Sequence, residues 1–347
     1  MSKFIAIKPL DTLFFRGAKP FNMSDDSWSD AHSLPFPSVI WGALYAHLYF
    51  KDKEAQQEEN FKNLEIKNIY LYNFKDKSTF LTMPNDVFSD GKELYIGEYK
   101  KAPKHSSYPL EYINYANTDE SVERLKDSFI RIDSLSREYM KKSRSLIYED
   151  SKNIFLQDYK VGIAIDKSRK ATKEGHLYRV DLTQFEKEWG FLVEYDVDKF
   201  EFKDEGYLKL GGESKVAQFQ HIDKPNYIDS YEKDIEELKN SFSTEEYFKL
   251  YIKSPTAFKE GWRPILSGHK LLCANIDEYL SIGGFDMKTK SKKAQQRDMR
   301  RYVPSGAVYV FESQNKSFQE IEELIETEIK EHNDTHKGFG LFEILQA

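Results

Sequence analysis

Cysteine is almost missing from this sequence. Cys273 is the only one, which excludes an intrachain disulfide and any metal site built on several thiolates. No apolar run approaches the ~18 residues of a membrane span, and the N-terminal Met1-Ser-Lys-Phe-Ile-Ala-Ile-Lys8 lacks the apolar core of a secretory signal. An excess of positive charge is missing too. The chain has 51 Lys and Arg against 58 Asp and Glu, a net charge of -7, so any contact with nucleic acid must be a local patch. These absences describe a chain expected to be cytoplasmic, with no membrane partner. Aromatic residues, in contrast, are plentiful: with 25 Phe, 22 Tyr and 4 Trp, some rings can remain outside the cores and stack on bases. A length of 347 residues suits roughly two domains of ~150 each.

The most telling stretch runs from 161 to 180. Val161, Ile163 and Ile165 alternate on the way in, and Tyr178 and Val180 alternate on the way out. Period-two patterning around a polar tip predicts an antiparallel hairpin. The tip holds Lys167, Arg169, Lys170 and Lys173 against the single acid Glu174. A cationic finger on an acidic protein suits phosphate, while lysines guarding a solvated strand edge are the plainer alternative. A second basic run spans 288–301, with seven Lys or Arg against one acid, Asp298. It reads as a solvated loop or as a phosphate contact through Arg300 and Arg301. Arg16 and Lys19, at the end of the first predicted strand, are comparable candidates.

Elsewhere the pattern predicts a strand over 4–8 continuing into 13–21, then a polar loop over 22–33. A helix over 39–50 follows, capped by Ser38, with Ile40, Leu44 and Leu48 forming its apolar stripe. A strand is predicted for 64–74, whereas 82–151 shows no sustained period and reads as a long irregular insertion. A strand at 190–197 is followed, over 207–222, by a turn at Gly211-Gly212 that feeds a further strand. A helix carrying Tyr231, Ile235, Leu238 and Phe242 on one face reads as a linker between domains. The last third gives strands over 247–253, 269–276 (burying the Cys273 thiol) and 303–311. A helix to about 331 then opens with a capping box, Ser317 and Glu320, and Lys337-Gly-Phe-Gly340 leads into a closing strand. Trp41 and Trp262 read as core. Ile7-Lys-Pro9 and Ile252-Lys-Ser-Pro255 begin the two halves alike, and a glycine turn before a strand ends each. The halves therefore read as two α+β copies of a strand–helix–strand–strand–helix–strand unit, more complete in the second. Their expected extents are 1–224, holding the insertion and the hairpin, and 225–347.

Several segments, in order, resemble one known family. They are Asp11-Thr-Leu-Phe-Phe-Arg-Gly-Ala-Lys-Pro-Phe21, Pro35-Phe-Pro-Ser-Val-Ile-Trp-Gly-Ala-Leu44, the 162–178 hairpin, Leu210-Gly-Gly-Glu213, Val303-Pro-Ser-Gly-Ala-Val-Tyr309 and Gly338-Phe-Gly340. The family is the third Cmr subunit of type III-B CRISPR RNA-targeting effectors, in the RAMP superfamily. The matches spread over nearly the whole chain, although 22–33 and 82–151 match nothing in it. The resemblance implies two ferredoxin-like (RRM-type) domains with a protruding β-hairpin and no catalytic centre, metal or cofactor. It also implies a grip on the repeat-derived 5′ tag of the guide (CRISPR) RNA, beside the large polymerase/cyclase-like subunit and an adjacent RAMP backbone subunit. The family's thumb maps onto 166–176 and so includes His176. Its glycine-rich loops map onto Gly211-Gly212 and Gly338-Phe339-Gly340, which Lys215 and Lys337 flank. Glycine lets a backbone approach a sugar-phosphate, and successive N–H groups can form an anion nest. A tight turn without ligand is the alternative.

Two other chemistries can be weighed on the same residues. A metal-independent endoribonuclease of the same superfamily needs a histidine as general acid–base, and His32, His47, His105 and His176 are the candidates. No His–Tyr–Lys grouping stands at family spacing, and His47 reads as structural. Ile282-Gly-Gly-Phe-Asp286 resembles the metal-binding hairpin of palm-type polymerases. Phe285 replaces the first of the two required carboxylates, which excludes polymerisation and leaves a tight hairpin as the expected role.

Overall fold

A computed structural model describes residues 2–17, 28–29, 31–51, 64–166, 171–198, 202–242, 247–286 and 295–346. Two antiparallel sheets organise it. The larger has eight strands in the order Tyr148–Asp150, Ser128–Arg131, Thr79–Thr82, Glu65–Asn73, Trp189–Asp196, Lys3–Pro9, Val216–Ile222, Glu205–Lys209. The smaller has four strands, Leu271–Asn275, Val308–Glu312, Tyr247–Ile252, Phe342–Gln346.

The same plan underlies both. Numbered by occurrence, the four inner strands of the large sheet (Lys3–Pro9, Glu65–Asn73, Trp189–Asp196, Val216–Ile222) lie in the order 2-3-1-4, and so do the strands of the small sheet. The helices are divided between the two units. The first keeps helix Pro37–Lys51 between its strands 1 and 2, but strand Glu205–Lys209 stands where the full strand–helix–strand–strand–helix–strand plan would put a second helix. There Leu208 and Leu210 are buried while Tyr207 is exposed, an alternation that only a strand satisfies. The second unit keeps helix Phe318–His332 between strands 3 and 4 and crosses from 1 to 2 without a helix. Pro255, Gly261, Pro264 and Gly268 punctuate that crossing too closely for one. Neither unit is the more complete, contrary to expectation.

Inner strands are apolar on successive residues because both of their faces are covered. Strand Lys3–Pro9 directs Ile5 and Ile7 into a core closed by Ile40, Leu44 and Leu48 of the first helix, and Phe4 and Ala6 into a second core behind the sheet. That second core also receives Tyr251, Val308 and Leu345 from the small sheet. The opposite face of the small sheet packs Phe248, Leu250 and Ile344 against Ile321, Ile325 and Ile329 of helix Phe318–His332. The layers therefore run helix, sheet, sheet, helix. Helix Asn226–Ser241 adds Ile228 and the predicted Tyr231 and Ile235 to the central core, while Leu238 is only partly buried there and Phe242, just past the helix, packs with Phe318 instead. The capping box of Ser317 and Glu320 is present. The first helix begins at Pro37 rather than after Ser38, with the proline in the position that needs no N–H donor.

The 82–151 segment is ordered, and the irregular reading of it is corrected. It is built of short strands and a short helical turn, Ile132–Ser134 continuing through Leu135–Tyr139. Its Met83, Val87, Leu94, Ile96, Leu135 and Tyr139 enter the central core. Its polar groups fasten it to the small sheet. Lys249, on that sheet's inner face, places Nζ 2.8 Å from Asp86 Oδ2 and 3.0 Å from the Tyr139 hydroxyl. The Tyr139 and Tyr99 hydroxyls donate to the same carboxylate at 2.7 and 3.0 Å. Asp86 is 0% and Lys249 1% exposed, so this pair persists only because each charge has several partners. Nearby, the Asn85 N–H donates to Gly306 O, and the Tyr108 hydroxyl donates to Ala274 O. Burial pushes the Cys273 thiol up to about 11, so it is a packed neutral side chain.

Two hairpins project from the sheets, each inserted between strands 2 and 3 of its unit. The first, Phe155–Asp166 with Ala171–Phe185, is longer than the predicted 161–180. The second pairs Leu280–Asp286 with Gln295–Tyr302. Gly284, Phe285 and Asp286 lie within its first strand, opposite Arg297, Gln296 and Gln295, so the motif belongs to a hairpin as expected.

Candidate nucleic-acid interface

Two short segments bring the scattered sequence candidates together. In the first, Leu13 exchanges both backbone hydrogen bonds with Thr183, at 2.8 and 2.9 Å, which ties it to the root of the first hairpin. Phe14 O accepts from the Gly212 N–H at 2.8 Å, and Arg16, exposed, bridges to Ala31. In the second, the His32 N–H donates to Phe15 O, and Gln157 Nε2 of the first hairpin donates to Ser33 Oγ at 2.6 Å. Three residues on, Phe36 packs on a cluster of Ala257, Ile282, Tyr302 and Phe339 at the root of the second hairpin. Both hairpin roots and both glycine turns therefore meet along residues 13–16 and 31–36.

The expected site residues fare differently. Arg16, Gly211, Gly212, Lys215, Arg300, Arg301, Lys337, Gly338, Phe339 and Gly340 are placed in or beside this arrangement. Lys173 and His176 lie on the backbone of strand Ala171–Phe185. Lys19, Lys167, Arg169 and Lys170 lie outside the described residues, as does most of the second hairpin's basic tip. Trp262 is exposed rather than core, whereas Trp41 donates its indole N–H to Leu64 O.

Packing within the protein accounts for the glycines. A Cβ on Gly211, at φ +78°, would lie 2.5 Å from Phe14 O, and one on Gly340, at φ +73°, 2.3 Å from Ile329 Cγ2. The Gly212 N–H is donated to Phe14 O, that of Gly338 to Thr335 O and that of Gly340 to Pro255 O. These three groups are therefore engaged inside the protein. The flanking lysines are matched as well. Lys215 Nζ lies 2.9 Å from Asp11 Oδ2, and that hydrogen bond holds the Asp11 carboxyl below its ordinary range. Lys337 Nζ lies 2.6 Å from Asp334 Oδ2 and 5.5 Å from the centre of the Trp41 ring.

Sequence reasoning passed over two arginine–tyrosine pairs. The Arg179 guanidinium sits 4.3 Å from the centre of the Tyr159 ring, and that of Arg301 4.6 Å from the centre of Tyr279. Both rings face solvent, Tyr159 at 56% exposure and Tyr279 at 58%. The partners are 20 and 22 positions apart, so no sequence spacing reveals them before the hairpin register is known. Of the histidines weighed for catalysis, His47 lies against Phe202 and Phe219 in the core, His105 is exposed, and His32 packs on Phe36. Among the described residues no group of metal-ligating side chains comes together, and no helix is long and apolar enough to cross a membrane.

Comparison with known proteins adds a family. The family model described as "CRISPR-associated protein (Cas_Cmr3)" matches residues 5–347. A relative from Saccharolobus solfataricus, "CRISPR system CMR subunit Cmr3", is 26% identical over 310 residues, covering 84% of this chain and 82% of its own length. A chain of a type III-B Cmr-beta complex, solved by cryo-EM bound to cognate target RNA, aligns with a TM-score of 0.52 at 16% identity. That alignment covers 97% of this chain and 95% of the other, and it shows a shared fold.

Proposed function

The chain belongs to the Cas_Cmr3 family of CRISPR-associated proteins, and from that premise we propose that it is a non-catalytic, guide-RNA-binding subunit of a type III-B effector complex. The bound element is the repeat-derived 5′ tag of the guide. The neighbours are the large polymerase/cyclase-like subunit and a RAMP backbone subunit, all in the cytoplasm. The two units are read as ferredoxin-like domains over 1–224 and 225–347, with the 2-3-1-4 strand order as support and one helix missing from each.

One observation carries the RNA reading: two hairpins, each with lysines and arginines in the sequence that joins its two strands, are rooted on the same pair of short segments. In an acidic protein such concentration of positive charge is a directional device. It attracts phosphate to one track and leaves the remaining surface unattractive to RNA. With three turn N–H groups and both flanking lysines engaged internally, the turns act as rigid backing, and phosphate contact falls to the hairpins and to Arg16. Tag specificity then comes from unstacked bases held against loop edges and aromatic faces.

The test is charge reversal in the reconstituted complex. Glutamate at Lys167, Arg169 and Lys170 together is expected to speed guide loss and to flatten the salt dependence by about one unit of log–log slope per phosphate contact removed. Unchanged retention and slope would reject the reading. A single-turnover assay with repeat RNA and this subunit is expected to give no cleavage, and a cleaved product would move the protein to the endoribonucleases.

A further inference from the structure

We propose that the hairpins carry a duplicated stacking platform for unpaired guide bases, Tyr159 with Arg179 on the first and Tyr279 with Arg301 on the second. The inference rests on the guide-binding reading and names the base-holding groups within it.

The two pairs share one geometry. Arg179 stands opposite Val161 across the first hairpin, and its guanidinium covers the tyrosine two residues before that position. Arg301 stands opposite Ser281 across the second and again covers the tyrosine two residues earlier. Diagonal neighbours of this kind share a face of the sheet and lie within reach of long side chains. Two hairpins of unrelated sequence, at matching places in two units, thus present the same exposed ring and the same cation.

Both pairs lie near the roots of their hairpins. Gln157 reaches Ser33 from the face of the hairpin that Tyr159 shares, because residues two apart on a strand point the same way. On the other side Leu280, next to Tyr279, packs with Phe36 on the cluster at the second root. The His32 and Phe36 rings of that segment pack on each other, their centroids 4.6 Å apart. Being adjacent to Leu280, Tyr279 lies on the opposite face of the second hairpin from Phe36, so the first platform faces the 31–36 segment and the second lies on the far side of its hairpin's root.

The chemistry favours a base over a phosphate. Arg179 Nε lies 2.9 Å from Asp181 Oδ1, so a carboxylate already matches its charge and would repel a phosphate, while the guanidinium remains 4.3 Å from the centre of the ring. With the guanidinium within about 5 Å of the ring centre, the exposed tyrosine still has surface to offer a base, and stacking of this kind accepts any base. Val161, 52% exposed, extends the apolar area beside Tyr159.

The test uses the assembled effector complex with 5-iodouracil placed at one guide position at a time through the tag. Irradiation is expected to crosslink two positions to the peptides holding Tyr159 and Tyr279. Tyr159→Ala and Tyr279→Ala should each remove their crosslink and speed guide loss about tenfold, with an unchanged salt slope. Phenylalanine at either position should restore retention, which separates stacking from a folding defect. Alanine variants that hold the guide normally, or that loosen a neighbouring subunit instead, overturn the platform. If the crosslinks fall elsewhere on this chain while charge reversal still frees the guide, the platform fails and the guide-binding reading survives. If neither crosslinks nor charge reversal touch this chain, both fail.

Discussion

Set side by side, the two sheet units show how one plan survives different losses. The first dispenses with its second helix and extends its sheet with the edge strand Glu205–Lys209. The second dispenses with its first helix and crosses through prolines and glycines. Each retained helix covers the outward face of its own sheet, and the inward faces cover each other. A helix is needed only where a sheet face would otherwise meet water, so each unit can lose the helix that its neighbour, or the long insertion, makes redundant. The insertion belongs to the first unit by sequence and grips the second by contact.

Four measurements would sharpen or break that comparison. The largest effect is expected at the insertion's brace. Lys249→Met leaves Asp86 charged and buried, and should destabilise the protein by about 3–5 kcal/mol in urea unfolding. Adding Asp86→Asn removes the stranded charge and should recover part of the loss. A silent Lys249→Met would show that the insertion does not fasten the units. Next come the equivalent glycine turns. Gly211→Ala and Gly340→Ala force a side chain into both a left-handed turn and occupied space, for an expected loss of about 1–3 kcal/mol each. Gly261→Ala, at φ +73° with nothing near its Cβ, carries only the backbone cost and should lose less. Equal losses at all three would remove the packing explanation for the turns.

A smaller change, about 1 kcal/mol, is expected for Ser317→Ala, which removes the hydroxyl from the capping box of the second unit's helix; thermal melts would register it. The smallest lies at the first unit's turn. The Asp11 carboxyl is held below its ordinary range by Lys215, so its contribution is present at neutral pH and disappears as pH falls through that lowered value. Asp11→Asn should therefore depress the melting temperature slightly at pH 7, and the two curves should merge in acid. A gap that persists in acid would assign the effect to something other than ionisation.

Part of this was legible in advance for local reasons. Alternation marked both strands of the first hairpin, Ser317 and Glu320 marked a helix start, and a lone cysteine in an apolar strand was a packed thiol. Each depends on residues a few positions apart. The brace was not legible, because Asp86 and Lys249 are 163 positions apart and look like ordinary surface charges until two sheets enclose them. The same holds for Gly338, whose absent side chain matters because Ile66 of the other unit occupies the space. Lys215 likewise reads as a free cation because its partner Asp11 lies 204 positions away, whereas Asp334, three positions before Lys337, was within local reach and passed over.

From the linear chain alone came the α+β class, the doubled plan, the first projecting finger and two locally basic runs in an acidic chain. These follow from periodicity and composition, which act over neighbouring residues. Tertiary structure decided which helices were dispensable, what the glycines touch, which lysines are already matched and which tyrosines an arginine covers. Those outcomes depend on distance in space between residues far apart in the chain, and only the packing of the two sheets fixes that distance.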